Sequence, residues 1–222
     1  MSVVAAGVKV GSVDWGRLLL VPVFALLLLA NVSALAADSR QERGAALAVG
    51  VATSLMTVGF NAMVVWAYLR RGRASATHHS WTARSVAVLA TAIPMLLVLG
   101  GGPRTLTMSG GLSAGALMAV GMCWSLWALS ALGSNLSVVA QVRGLTTSGP
   151  YQWVRHPLYV GEIVTVLGIA IRTSGFLALG LWVLLVVLQS CRALAEESLL
   201  RAARPGYEDY CSRTARFLPG VF

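Results

Sequence analysis

The chain has 222 residues, of which 57% are hydrophobic and 11% charged, and a formal net charge of +9. So little polar surface cannot clothe a soluble globule of this length, which excludes a water-soluble enzyme domain. In a chain this apolar the basic excess reports orientation in a bilayer and contact with anionic lipid, not nucleic acid.

In chain order, charge-poor segments cover 18–37, 44–69, 85–103, 110–133, 157–171 and 174–191. Runs near 20 residues suit helices that cross about 30 Å of hydrocarbon. They are continuous and rich in Leu, Ala and Val, where barrel strands would alternate, so an all-α integral membrane protein with five to six transmembrane helices is expected.

The first run, Leu18 to Ala37, follows Lys9 and Arg17 as a signal peptide would, but is too long for a typical apolar core of one and reads as a retained helix. The loop after the second run carries Arg70, Arg71, Arg73 and Arg84. Its adjacent His78 and His79 cannot both face one metal from a helix and read as solvated. Gly100 to Gly102 follow a membrane helix, where a dinucleotide fingerprint would follow a strand. Pro157 to Ile171 spans about 22 Å of helix. The "RTSG" turn, Arg172 to Gly175, then makes the last two segments a hairpin.

Six helices place both termini on one side, and 13 basic residues then share that side against Arg40, Arg43, Arg104 and Arg172 on the other. The richer side is the cytoplasmic one; the Ala/Val/Gly-rich composition suggests a bacterium, so the inner membrane, with the site facing the cytoplasm, is expected. Beyond Cys191, "CRALAEESLLRAA" has Leu194, Leu199 and Leu200 at helical spacing, with Arg192 and Glu196 at i and i+4, and "RPG" at Arg204 to Gly206 ends the helix. Cys123, Cys191 and Cys211 have neither disulfide nor zinc spacing and read as structural.

The stretch "GPYQWVRHPLYVGE", Gly149 to Glu162, gathers the unusual polar residues. Pro157 holds His156 out of the helical region, so a helix begins there with Arg155 and His156 at its mouth. A helix N-terminus beside an imidazole and a guanidinium suits a carboxylate or phosphate. Tyr151, Trp153 and Tyr159 offer faces for a flat ring or a cation. For Trp153 and Arg155 an interfacial belt explains the residues equally well. It does not explain Glu162, a carboxyl inside an apolar helix, which is costly unless paired or facing a polar cavity. The "RALAEE" cluster reads either as a solvated ion-paired face or as the second half of a site, met through the hairpin.

These two stretches, together covering roughly Leu129 to Phe222, resemble the C-terminal half of the isoprenylcysteine carboxyl methyltransferase family and the related membrane phospholipid and thiol methyltransferases. The resemblance implies a catalytic core over 129–222 behind N-terminal membrane helices over 1–128, the whole forming one structural domain. It implies S-adenosylmethionine as cofactor, in a pocket of Tyr151, Val154, Arg155, His156, Pro157 and Tyr159 that the C-terminal helix and tail complete through Glu197 and Tyr207. Arg192 and Glu196 would be the catalytic pair facing a lipophilic acceptor that enters from the bilayer. An acceptor carboxylate held by Arg192 would need no base; a thiol or amine would, with Glu196 in that role. Two other readings stand beside this one: a membrane sterol or enone reductase using a nicotinamide cofactor, and a non-catalytic transport or assembly protein.

Overall fold

The computed structural model describes residues 15–38, 45–72, 76–77, 80–100, 107–137, 141–142, 144–173 and 175–220. The readings of His78, His79, Gly101 and Gly102, and of Lys9, Arg40, Arg43, Arg73, Arg104 and Arg143, lie outside those residues.

Each apolar run becomes a helix: α1 Trp15–Asp38, α2 Ala45–Arg70, α3 Trp81–Gly100, α4 Met108–Leu132, α5 Pro157–Arg172 and α6 Phe176–Ala203. A short α7, Tyr207–Arg213, follows the predicted stop, where Gly206 takes a left-handed conformation (φ 84°) open to glycine at little cost. The one sheet among the described residues is a two-residue antiparallel pair, β1 Ala76–Thr77 with β2 Gln141–Val142.

By length and composition, two described helical stretches are long and apolar enough to cross a bilayer, Ser109–Asn135 and Phe176–Ala203, while Leu20–Ser33 and Trp81–Leu97 are shorter apolar helices. The hydropathy runs alone had suggested five to six. Leu26, Leu29, Val120, Phe176, Leu177 and Val183 point outward and are exposed. Such an apolar surface suits a membrane-associated protein. α6 continues without a break from its apolar half through "CRALAEESLLRAA", so one rigid rod of about 42 Å joins the apolar layer to the polar cluster.

Close packing of α4 against α5 fixes the site. Gly121 and Ser125 of α4 face Gly161 and Thr165 of α5, and Ala114 and Met118 face Gly168, so the two helices run antiparallel. A Cβ added at Gly121 would lie 2.5 Å from the Thr165 nitrogen, and one at Gly168 would lie 2.6 Å from the Ala114 oxygen. Lipid provides no hydrophobic drive to associate, so small residues that let backbones touch gain dispersion contacts instead. α6 also runs antiparallel to α5: Trp182 Nε1 donates to the Ile163 carbonyl (3.0 Å) and Gln189 Nε2 to Glu162 (2.6 Å). An apolar cluster including Ala90 and Ile93 of α3, Val166 of α5, and Leu185 and Leu188 of α6 fills the space between them. On the other side, Val64, Ala67 and Tyr68 of α2 pack on Leu129 of α4, and α1 is tied to α2 by Arg17, whose Nε donates to the Tyr68 carbonyl at 2.9 Å.

The tail folds back on the start of α5. Ala215 N–H donates to the Trp153 carbonyl (3.1 Å), Arg155 N–H to that of Ala215 (2.8 Å) and His156 N–H to that of Arg216 (3.2 Å). The Tyr210 hydroxyl donates to the Tyr151 carbonyl at 2.7 Å.

Candidate active site

A cavity of about 660 Å³ runs between the helices, with Tyr207 and Tyr210 of α7 in its wall. Its polar end is lined by Tyr151, His156, Tyr159, Glu196, Tyr207 and Tyr210. Its other reaches are lined by apolar side chains that include Phe24, Leu27, Phe60, Met95, Met118 and Met122. A single space is thus lined by charged and aromatic side chains around the start of α5 and by many apolar side chains elsewhere, with Asn31, Asn61 and Arg172 interspersed.

His156 caps α5 in a non-helical conformation (φ −126°, ψ 56°), as the following proline requires. Its ring lies parallel to that of Tyr159, with centroids 5.4 Å apart, and 5.9 Å from that of Phe217 in the tail. Nε2 sits 3.3 Å from Glu197 Oε1, and toward a carboxylate an imidazole nitrogen must donate. The other nitrogen, Nδ1, faces Glu196 at 3.8 Å. The Tyr159 hydroxyl donates to Glu196, and the Arg192 guanidinium lies 4.7 Å over the Tyr159 ring. Tyr159 therefore stands between the predicted catalytic pair, and Arg192, at 8% exposure, is not on a solvated face. Arg192 Nη1 donates to Gln189 Oε1 (3.1 Å).

Glu197 departs from the expected role. It is wholly buried and does not border the cavity; it accepts from Arg155 Nε (3.1 Å), His156 Nε2, and Arg216 Nε and Nη2 (both 2.9 Å), with Arg201 Nη2 at 3.5 Å. It is a hub that ties α5, α6 and the tail together behind the pocket wall. Arg155 departs as well. It borders the cavity, but its guanidinium turns to Glu197 and to the carbonyls of Cys211 (2.9 Å) and Thr214 (2.8 Å), so it is committed to the tail and not to an anion at the helix mouth. Val154 and Pro157 are buried without reaching the cavity, Val154 bridging to Ala215 and Pro157 setting the helix start. Tyr151, Arg155, His156, Tyr159 and Tyr207, with Arg192 and Glu196, are the predicted residues that the fold gathers around one space.

Burial pushes the Tyr151 phenol far above its ordinary value, with Glu196 adding to the effect, and pushes Tyr210 up to about 12; burial and then the Glu197 charge raise Tyr207. All three remain neutral hydroxyls at neutral pH and serve as hydrogen-bonding groups, not bases. The Tyr151 hydroxyl belongs to a residue only 7% exposed, borders the cavity, and has no protein partner among the described residues.

Sequence reasoning missed Gln189, Arg216 and Tyr210. Gln189 carries a signal, a lone amide within "LLVVLQSC", since a polar group in an apolar helix demands a partner. Arg216 and Tyr210 sit in a polar tail and carry none.

Residues 111–203 match the family model described as phospholipid methyltransferase. Among curated proteins, the chain is 30% identical over 118 residues to the cobalt-zinc-cadmium resistance protein CzcN of Cupriavidus metallidurans, covering 53% of this chain and 50% of that one. It is 34% identical over 76 residues to the nickel-cobalt-cadmium resistance protein NccN of Alcaligenes xylosoxydans xylosoxydans, covering 34% and 36%. The chain thus spans half the length of the first relative and about a third of the second. The matched segment contains α5, all but the first residues of α4, and the whole of α6, so over residues 111–203, which carry much of the polar end of the cavity, the chain is similar to the phospholipid methyltransferases, membrane methyltransferases related to the isoprenylcysteine carboxyl methyltransferases.

Proposed function

We propose that the protein transfers a methyl group from S-adenosylmethionine to a lipophilic acceptor that enters from the bilayer. The observation that carries this reading is the continuity of a polar, aromatic pocket with an apolar one inside the helices that match the family model. The residues present suit the cofactor. The unpartnered Tyr151 hydroxyl and the carboxylate of Glu196 provide hydrogen-bonding groups for ribose, ammonium or carboxylate, and the parallel His156 and Tyr159 rings provide faces for adenine or a sulfonium. When bound, the cofactor supplies an electrophilic sulfonium methyl.

What this chain's residues contribute is position and dryness. The tail, held by Glu197, covers the polar end; Tyr159 fixes Glu196 and carries Arg192 on its ring; the methionine-lined stretch adapts to a flexible apolar body. In-line approach within a site closed to water supplies several kcal/mol of the barrier to displacement. We place the polar end on the cytoplasmic side of the inner membrane and read five to six helices as spanning, on the distribution of Arg and Lys and on the apolar runs.

The test is transfer of tritiated methyl into extracted lipids by the purified protein, beside calorimetry with S-adenosylhomocysteine. Thermal stabilisation by a nicotinamide cofactor and not by S-adenosylmethionine would instead favour a reductase. Within the methyltransferase reading, Tyr151→Phe deletes one hydrogen bond at the cavity wall, so cofactor affinity should fall about 3- to 10-fold. The unfolding temperature should stay unchanged, because that hydroxyl holds no protein group. Unaltered affinity would remove Tyr151 from the cofactor site.

A further inference from the structure

We propose that Glu162, and not Glu196, receives the proton of a proton-bearing methyl acceptor such as a lipophilic thiol or amine. This rests on the methyltransferase reading above. Glu162 lies three residues beyond Tyr159 on α5, close to one turn along the same helix, and borders the same cavity as Tyr159, Arg192 and Glu196.

The geometry holds one face of the carboxylate and leaves the other free. Glu162 Oε2 accepts from Gln189 Nε2 at 2.6 Å, while Oε1 has no protein partner among the described residues. Gln189 is itself 0% exposed, and its Oε1 accepts from Arg192 Nη1 at 3.1 Å, so the amide cannot turn over without breaking both bonds. Glu196 is differently committed: it accepts the Tyr159 hydroxyl and faces His156, at the polar end. A carboxyl in an apolar helix is costly, and here it is supported on one oxygen and turned to the cavity with the other.

Arg192 borders the same cavity and donates to Gln189, so the Glu162 carboxylate does not stand there as an uncompensated charge. With a protic nucleophile, the X–H bond breaks as the proton passes to Glu162 Oε1, the freed pair on X forms the X–CH3 bond, and the C–S bond of the sulfonium breaks with its electron pair remaining on sulfur as a neutral thioether. Atoms and charge balance with S-adenosylmethionine as the sole co-reactant.

The experiment uses the full chain in nanodiscs with dodecanethiol, dodecylamine and S-farnesyl-N-acetylcysteine as probe acceptors. Glu162→Gln keeps a group that accepts from Gln189, so folding is preserved. Methyl transfer to the thiol or amine should fall at least about 100-fold, the usual contribution of a positioned base. S-adenosylhomocysteine affinity should stay within about threefold of the wild type, and Glu162→Asp should recover part of the rate. In cofactor-free protein, Glu162→Gln should also bind dodecanoate more tightly relative to dodecylamine, a readout that needs no turnover. Thiol and amine methylation by Glu162→Gln within about threefold of wild type, or a wild type that methylates only the farnesylated carboxylate, would overturn the proposal. A folded wild type that binds no S-adenosylhomocysteine would overturn the methyltransferase reading itself, and this assignment with it.

Discussion

Glu197→Gln is expected to destabilise the protein by about 3 kcal/mol, the lower part of the range for breaking a buried charge cluster, and to abolish cofactor binding. The substitution keeps shape and removes charge, so the outcome depends on which cations are stranded. Arg201 is 42% exposed along its side chain and keeps Glu208 at 2.8 Å; Arg216 is 29% exposed and can hydrate. Arg155 and His156 have nowhere to go, with side chains 9% and 6% exposed. Arg155 retains the carbonyls of Cys211 and Thr214, which keeps the cost from the top of the range. Arg216→Ala, which removes a half-buried partner and leaves the hub its other donors, should cost no more than about 1 kcal/mol. Thermal unfolding by circular dichroism in detergent separates the two variants, and calorimetry reads the functional loss, since the wall of the polar end is the tail that Glu197 holds. A Glu197→Gln protein as stable as Arg216→Ala would show that the hub is not what docks the tail.

The fold was legible where lipid dictates the sequence. A helix in hydrocarbon must be continuously apolar, so the six apolar runs predicted five to six helices where the structure has a helix at each run, and Pro157 and the Arg204–Gly206 stop marked ends that the structure keeps. Meeting of the two polar patches was legible too, because a long α6 returning past α5 leaves them little choice. The division of labour was not. Glu196 and Glu197 are neighbours in sequence, but on a helix they are about 100° apart, so one faces the cavity and the other faces the tail. Which is which depends on Arg216, a contact nineteen residues away with no local signature. Packing of α4 on α5 did leave a trace, Gly161, Thr165 and Gly168 at spacings of four and three, the pattern of small residues that brings membrane helices together. It went unread because glycines in so apolar and glycine-rich a chain do not stand out.

That packing sets the second large effect, Gly161→Val. A Cβ at position 161 would lie 2.3 Å from Ser125 Oγ, 2.8 Å from the Ser125 nitrogen and 2.8 Å from the Gly121 oxygen. The hydroxyl can rotate, but the two backbone atoms belong to α4 and cannot move unless the helix does. Overpacking even by one methyl costs about 1–3 kcal/mol, and the branched side chain should reach or exceed the upper figure. Ser125→Ala added to Gly161→Ala should therefore rescue only part of the loss, because the 2.8 Å backbone contacts persist. Gly180→Ala is the control: nothing lies within 4 Å of its added Cβ on the outward face of α6, so it should be neutral or gain up to about 1 kcal/mol from helix propensity. Parting α4 from α5 also moves Glu162, the next residue, and Tyr159, half a turn earlier. A misplacement near 1 Å can lower turnover about 100-fold with the chemistry's own residues intact. Unfolding temperature and methyl transfer should fall together in Gly161→Val. If instead its melting matched that of Gly180→Ala, the close approach of the two helices would not be what positions the site.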